Sequence, residues 1–253
     1  MNLHEISVTI LTKSNQKYLP EVLQALIPFG EVVLYDNGST DNTLEIAAQF
    51  PNVNIMRGTF EGFGPTHNEA VRLAKFDWIL SIDADEIVSE ELANELASAQ
   101  LDPKVVYSIS SHNYFNGKWI KGCGWYPDRK LRLFNRLTTK FSDAQVHESV
   151  ITKGLKIRAL KGHLVHYSYD TISDFLRKMQ NYSTLFASQY CGKRKSSLGI
   201  AIVHGVAAFI KSYVIKRGFL DGFEGFVISA YNGHTAYYKY LKLREANLRI
   251  QRS

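Results

Sequence analysis

Two acidic loops hold the side chains best suited to chemistry. Asp36-Asn-Gly-Ser-Thr-Asp41 follows the apolar run Val32-Val-Leu-Tyr35, and Asp83-Ala-Asp-Glu86 follows Trp78-Ile-Leu-Ser-Ile82. In extended chain, residues i and i+2 point the same way, so Asp83 and Asp85 can converge on one point. Two such carboxylates repel unless a cation lies between them, and hard oxygen donors suit Mg²⁺ or Mn²⁺. Phosphate oxygens of a ligand would complete that shell. The same residues also read as an acidic turn before a helix, where negative charge is favourable without any metal. Asp36, at a strand end, is placed to accept from a base or a ribose. Asp41 or Asn42 reads as the cap of the next helix, and Gly38 lets the chain turn tightly.

The elements around these loops follow from apolar spacing. Ile6–Leu11, Val32–Tyr35, Val53–Met56 and Trp78–Ile82 read as strands, alternating with helices over 18–27, up to Ala48, from Thr66 to Lys75, and from Ser89 to Ser98. Thr66-His-Asn-Glu69 has the spacing of a capping box, which predicts a helix start there. Repeated βα units of this length imply a parallel, right-handed, doubly wound sheet, with ligands at the carboxyl ends of its strands. Strands are then expected over 105–110, 130–134 and 155–169. Helices follow over 173–190, 198–215 and 219–243. The expected division is an α/β catalytic domain over 1–170 and a helical extension over 171–253.

Composition narrows the class further. Cys123 and Cys191 are the only cysteines in 253 residues, which excludes a disulfide framework and a cysteine-based zinc site. The first residues lack the basic and apolar blocks of a signal peptide, so a reduced, cytoplasmic protein is expected. The net charge of +6 is unevenly spread: residues 175–253 carry 13 Lys and Arg against 3 Asp and Glu. That basic, aromatic end suits an anionic membrane surface. Its longest uncharged stretch, Ser196–Ile210, falls short of the roughly 20 residues that a spanning helix needs. Nucleic acid is not expected as a partner, because the acidic sheet region would repel it and no recognition motif is present.

The order and spacing of Thr9-Ile-Leu-Thr-Lys-Ser-Asn15, the Asp36–Asp41 loop, Gly62-Phe-Gly-Pro-Thr-His-Asn68 and Asp83-Ala-Asp85 resemble glycosyltransferase family 2 over about residues 5–170. Trp125-Tyr-Pro-Asp-Arg-Lys-Leu-Arg-Leu-Phe134, Val146-His-Glu148 and His166-Tyr-Ser168 resemble its lipopolysaccharide-core β-glucosyltransferase branch. The resemblance implies a GT-A, Rossmann-like, mostly parallel sheet with a helical C-terminal extension. It also implies an inverting transfer of a hexose, glucose from UDP-glucose, to a lipid-linked saccharide such as an inner-core heptose. The enzyme would be peripheral on the cytoplasmic face of the bacterial inner membrane.

Residue by residue, the resemblance puts Thr12 and Asp36 on the nucleoside and Asn68 near the diphosphate. Asp83 falls on ribose or metal-bound water, Asp85 on Mg²⁺ or Mn²⁺, and His166, in competition with His163, on a third metal position. Glu148 becomes the catalytic base, with Asp143 as its substitute and a Glu148 salt bridge to Arg132 or Arg136 as the plainer alternative. His67 stands where related sequences often carry Arg. Arg129 and Arg132 are either phosphate or acceptor contacts or ordinary strand residues. Three other readings stay open: another family 2 donor with a capsule or exopolysaccharide acceptor, a nucleotidyltransferase, and an inactive membrane scaffold. The loop Thr12-Lys-Ser-Asn-Gln-Lys17 has no glycine, which counts against the nucleotidyltransferase.

Overall fold

The computed structural model describes residues 2–145 and 148–252. The chain divides into two compact units, Met1–His112 with Asp128–His166, and Asn113–Pro127 with Tyr167–Ser253.

The first unit begins with strands β1 (Ile6–Thr12), β2 (Glu31–Asp36), β3 (Val53–Arg57) and β4 (Trp78–Asp83), joined through helices α1 (Leu19–Ala25), α2 (Thr43–Ala47) and α3 (Phe63–Leu73). Neighbours in the order β3-β2-β1-β4 all pair in parallel. The runs are apolar because the sheet is covered on both sides. Ile6, Val8 and Ile10 belong to one core with Leu19, Val22 and Leu23 of α1, while Val33 and Ile79 belong to another with Ala70 and Val71 of α3.

Beyond β4 the chain forms β5 (Glu86–Val88), α4 (Glu90–Ser98), β6 (Val105–Phe115), β7 (Lys118–Trp119), β8 (Asp128–Asn135) and β9 (Lys156–Tyr169). β8 pairs antiparallel with β4 and with β6, and β9 pairs antiparallel with β5. Ser89 caps α4, its hydroxyl accepting from Leu92 N at 3.1 Å, as expected from sequence.

Helix α3 departs from the expected start. It begins at Phe63, with Gly62 at φ +104° before it, a conformation open to glycine. Thr66 lies inside the first turn, and its hydroxyl donates to Gly62 O at 2.6 Å. The free N–H groups at this helix start go elsewhere: Phe63 N donates to Gln145 O at 3.1 Å and Gly64 N to Ala144 O at 3.0 Å. A Cβ on Gly64 would collide with the Ser142 carbonyl oxygen, so glycine lets this later segment lie directly on the helix.

The second unit contains β7 and helices α5 (Ile172–Tyr190), α6 (Leu198–Ile210) and α7 (Gly222–Arg252). Its core gathers Phe115, Ile120, Cys123, Phe175 and Ile228, with Trp125, Tyr169 and Tyr231 packed around them. Asp221 ties the 113–127 segment to α7 by accepting from Gly122 N at 2.6 Å. α6 runs on as a π-helical turn, Lys211–Ile215, and a 3-10 turn, Gly218–Asp221, precedes α7.

Candidate active site

The strand register brings the acidic loops level. Thr12, in the last position of β1, lies beside Asp36 of β2, and its neighbour Leu11 lies beside Asp83 of β4. Both loops therefore leave the sheet at the same carboxyl edge, one on each side of β1.

On one side, Asp36 is buried and shaped by its own loop. Its carboxylate accepts from Ser39 N at 3.0 Å and Gly38 N at 3.2 Å, and also from the Ser39 hydroxyl. Each carboxylate oxygen has two acceptor sites, so the group retains capacity for a ligand donor. Thr12 is buried next to it, and its hydroxyl accepts from the Asn15 amide at 3.3 Å. Asp41 accepts from Thr43 N at 3.1 Å and from Gln16 N at 3.2 Å, which fits the capping role.

On the other side, the dominant group is one that the sequence left ambiguous. Arg132 of β8 is buried and directs Nη2 to Asp83 Oδ2 at 2.7 Å and to Glu86 Oε2 at 2.6 Å. It therefore does not serve as a salt-bridge partner of Glu148. Glu86 is fully buried; it also accepts from Asp83 N at 3.0 Å and Ser111 Oγ at 3.1 Å. Burial works against the Arg132 charge, but Asp83 and Glu86 more than offset it and raise its pKa. Burial likewise opposes ionisation of Asp83, yet Arg132 and Lys130 hold its carboxyl well below the usual range. Lys130 Nζ stands 3.8 Å from Asp83 Oδ2. Glu86 carried no sequence signal beyond the acidic turn itself, and Lys130 none beyond its place in the Trp125–Phe134 motif.

Pairing of β5 with β9 sets Glu86 opposite His166, which delivers His166 Nε2 to 3.5 Å from Asp85 Oδ2. Burial lowers the His166 pKa, but the Asp85 hydrogen bond and charge, with Glu86 and Asp83, raise it overall. A position that favours a proton on the imidazole also favours another cation. Two atoms each about 2.1 Å from one ion lie at most about 4.2 Å apart, so Asp85 and His166 fit a shared divalent ion. Asp83 is turned instead to Arg132. Among the described residues no three His, Cys, Asp or Glu side chains converge, so further donors would come from a ligand. His163 stacks on His112 at 3.7 Å between ring centroids.

Glu148 Oε1 faces His67 Nε2 at 3.9 Å. His67 is buried on α3, stacked on Phe141 with 4.6 Å between centroids, and its Nδ1 is 3.4 Å from Ser81 Oγ. Ser81 precedes Asp83 by two residues and shares its face of β4. Burial pushes the His67 pKa down to about 4, so the ring is neutral near pH 7 and supplies no phosphate-binding charge. Val146 and His147, the other members of the Val146-His-Glu148 motif, lie outside the described residues.

Asn68 is occupied by the fold: its amide nitrogen donates to Phe141 O at 3.0 Å and its oxygen accepts from Phe141 N at 2.9 Å. Asp143 is exposed, 3.6 Å from Lys140 Nζ and 3.4 Å from the Asn68 amide. Arg129 donates to Leu160 O at 3.2 Å, and Arg136 pairs with Asp77 at 3.0 Å.

Residues 7–156 match the family described as Glycosyl transferase family 2. An uncharacterized glycosyltransferase of Rickettsia typhi is 30% identical, over 98% of this chain and 89% of its own length. The lipopolysaccharide core biosynthesis glycosyltransferase LpsC of Rhizobium meliloti is 27% identical over 88% of this chain and 85% of its own. Among solved structures, the mannosyltransferase PcManGT of Pyrobaculum calidifontis, in complex with GDP-Man and Mn²⁺, superposes with a TM-score of 0.52 at 15% identity. That alignment covers 96% of this chain and 87% of the other, and it shows a shared fold. The GT-A type α/β sheet with a helical C-terminal region, expected from the sequence, is the fold observed.

Two expectations follow from the buried charges. Arg132→Met leaves buried Glu86 with Lys130, 4.0 Å away, as its charge partner and should lower stability to urea by about 3–5 kcal/mol, with Arg132→Met/Glu86→Gln recovering more than half. A cost near zero for the single change would contradict the pairing. His67 has a folded pKa of about 4 against an ordinary 6.5. As pH falls from 6.5 to 4, the unfolded chain takes up a proton that the native ring refuses. Stability conferred by His67 is thus complete above pH 6.5 and drains away by up to about 3 kcal/mol towards pH 4. Urea titrations of His67→Phe should show a flatter dependence than wild type across that window; parallel curves would refute the assignment.

Proposed function

As the chain belongs to glycosyltransferase family 2, we propose that it transfers glucose from UDP-glucose, with inversion, to a lipid-linked bacterial saccharide, the inner-core heptose of lipopolysaccharide. The observation that carries this reading is the common strand edge: Asp36 beside Thr12 at the end of β1, and Asp83 with the Asp85–His166 pair on the other side of that strand. A nucleotide sugar has the same two-ended character. Its nucleoside needs acceptors such as Asp36, and its diphosphate needs positive charge near the anomeric carbon. Similarity to LpsC over most of both chains supports the lipopolysaccharide-core acceptor. The cytoplasmic face of the inner membrane is then the place of reaction.

The residues divide the work as follows. Thr12 and Asp36 bind the nucleoside. Asp85 and His166, with Asp83 of the same DXD sequence nearby, would hold Mg²⁺ or Mn²⁺, and the bound ion would supply Lewis-acid charge to the departing diphosphate. Arg132 fixes the direction of Asp83, and Lys130 adds positive charge at the same edge. Glu148 removes the proton from the acceptor hydroxyl as that oxygen attacks the anomeric carbon. The neutral His67 ring beside Glu148 is consistent with this, since it leaves the carboxylate free to accept that proton. Asp143 is exposed and paired with Lys140, which favours Glu148 over it as the base.

Replacing the base tests the assignment. Glu148→Gln should lower the rate of UDP release from UDP-glucose, with a heptose-containing core acceptor, by about 10²–10⁴-fold, and leave donor affinity within about twofold. Near-normal turnover would remove Glu148 as the base. A loss of donor affinity would assign it to binding instead.

A further inference from the structure

The helical unit carries an apolar surface that its own fold leaves open. Along α6, Leu198, Ile202, Val206, Ile210 and the following Val214 form an unbroken i, i+4 row, each between 45% and 55% exposed. Val203 and Ile215 widen the row, and Phe219, Leu220 and Phe223 extend it through the 3-10 turn to the start of α7, all of them exposed. Contiguous apolar surface of this extent marks an interaction site.

The charges around the row identify the partner. Lys193 and Lys195 stand before α6, and Lys211, Lys216 and Arg217 stand at its far end, all exposed. Among the described residues none of these five is in an ion pair, and no carboxylate occurs between Asp174 and Asp221. Basic groups flanking an apolar face match an anionic lipid surface, with the aliphatic parts buried and the ammonium groups among the headgroups.

Packing decides between lying on the bilayer and crossing it. The Leu198–Ile215 segment is 18 residues long and apolar enough to be a candidate span. Crossing would carry Lys211 into the hydrocarbon. It would also carry α7, which lies antiparallel against α6: Gly205 and Gly233 meet at the crossing, and Ser196 Oγ donates to Tyr240 O at 2.6 Å. That part of α7 bears Lys239, Lys242, Arg244 and Glu245.

We propose that the α6 row, with the 3-10 turn and the first turn of α7, inserts shallowly and in plane into an anionic bilayer leaflet. This deepens the proposed function and rests on its lipid-linked acceptor, but its test does not involve donor chemistry. The full-length protein is floated with vesicles of phosphatidylcholine alone or containing about one-third phosphatidylglycerol. Partition into the anionic vesicles should be at least about 10-fold stronger. Val206→Glu/Ile210→Glu and, separately, Lys211→Glu/Lys216→Glu should each weaken it by at least about 10-fold. Far-UV circular dichroism should stay unchanged in both.

Wild type indifferent to vesicles, or Val206→Glu/Ile210→Glu binding like wild type, would overturn the proposal. So would a dimer in solution that Val206→Glu/Ile210→Glu dissociates while no form binds vesicles, because a second copy would then cover the row. Vesicle binding by a protein that binds no nucleotide would uphold this surface and count against the proposed function alone.

Discussion

The guanidinium of Arg132, shared between Asp83 and Glu86, is the contact on which the acidic edge depends. Glu86 has no exposure to water. A buried carboxylate is tolerated only with compensating charge and hydrogen bonds, and here Arg132, Ser111 and the Asp83 backbone provide them. The consequence is geometric. With Glu86 anchored inward, Asp85 faces His166 across the β5–β9 pairing. A fully satisfied buried ion-pair network of this kind rigidifies the chain around it.

The other half of the edge is stabilised by different means. Asp36 is held by backbone N–H groups and the Ser39 hydroxyl of its own loop. Glu148 and His67 form a third arrangement, in which a buried neutral ring backs a carboxylate. The α3 start, capped by carbonyls of Ala144 and Gln145, holds these two residues against the helix. Three carboxylate environments thus differ by what neutralises them. The proposed function assigns recognition to Asp36, the holding of charge to Asp83 and Asp85, and proton acceptance to Glu148.

Much of this was legible in the residue pattern. The β-branched runs marked β1 to β4 because a parallel sheet buried on both sides requires them. The strand-end rule located Asp36 and the acidic turn, but the i, i+2 convergence of Asp83 and Asp85 fails, because Ala84 and Asp85 form a turn instead of extended chain: Asp83 faces Arg132 and Asp85 faces His166. What the pattern lacked was long-range partnership. Arg132 lies 46 residues from Glu86, and in sequence it is one of several basic residues in an amphipathic strand. Asn68 looked like a ligand contact in a suggestive motif, yet its amide clasps Phe141, 73 residues away. Thr66 matched a capping box, but the glycine at position 62 allowed the helix to begin one turn earlier, with its N–H groups satisfied from a distant loop.

On the proposed function, the carboxyl edge of β1, β2 and β4 binds a nucleoside diphosphate together with a divalent ion. Thermal unfolding of the full chain with UDP, GDP, CDP or ADP, each with and without Mn²⁺, tests it directly, because a ligand of the native state raises the melting point. The largest rise is expected with UDP, and it should be lost when Mn²⁺ is left out. Folded protein whose melting point no nucleotide moves, with or without the ion, would contradict it.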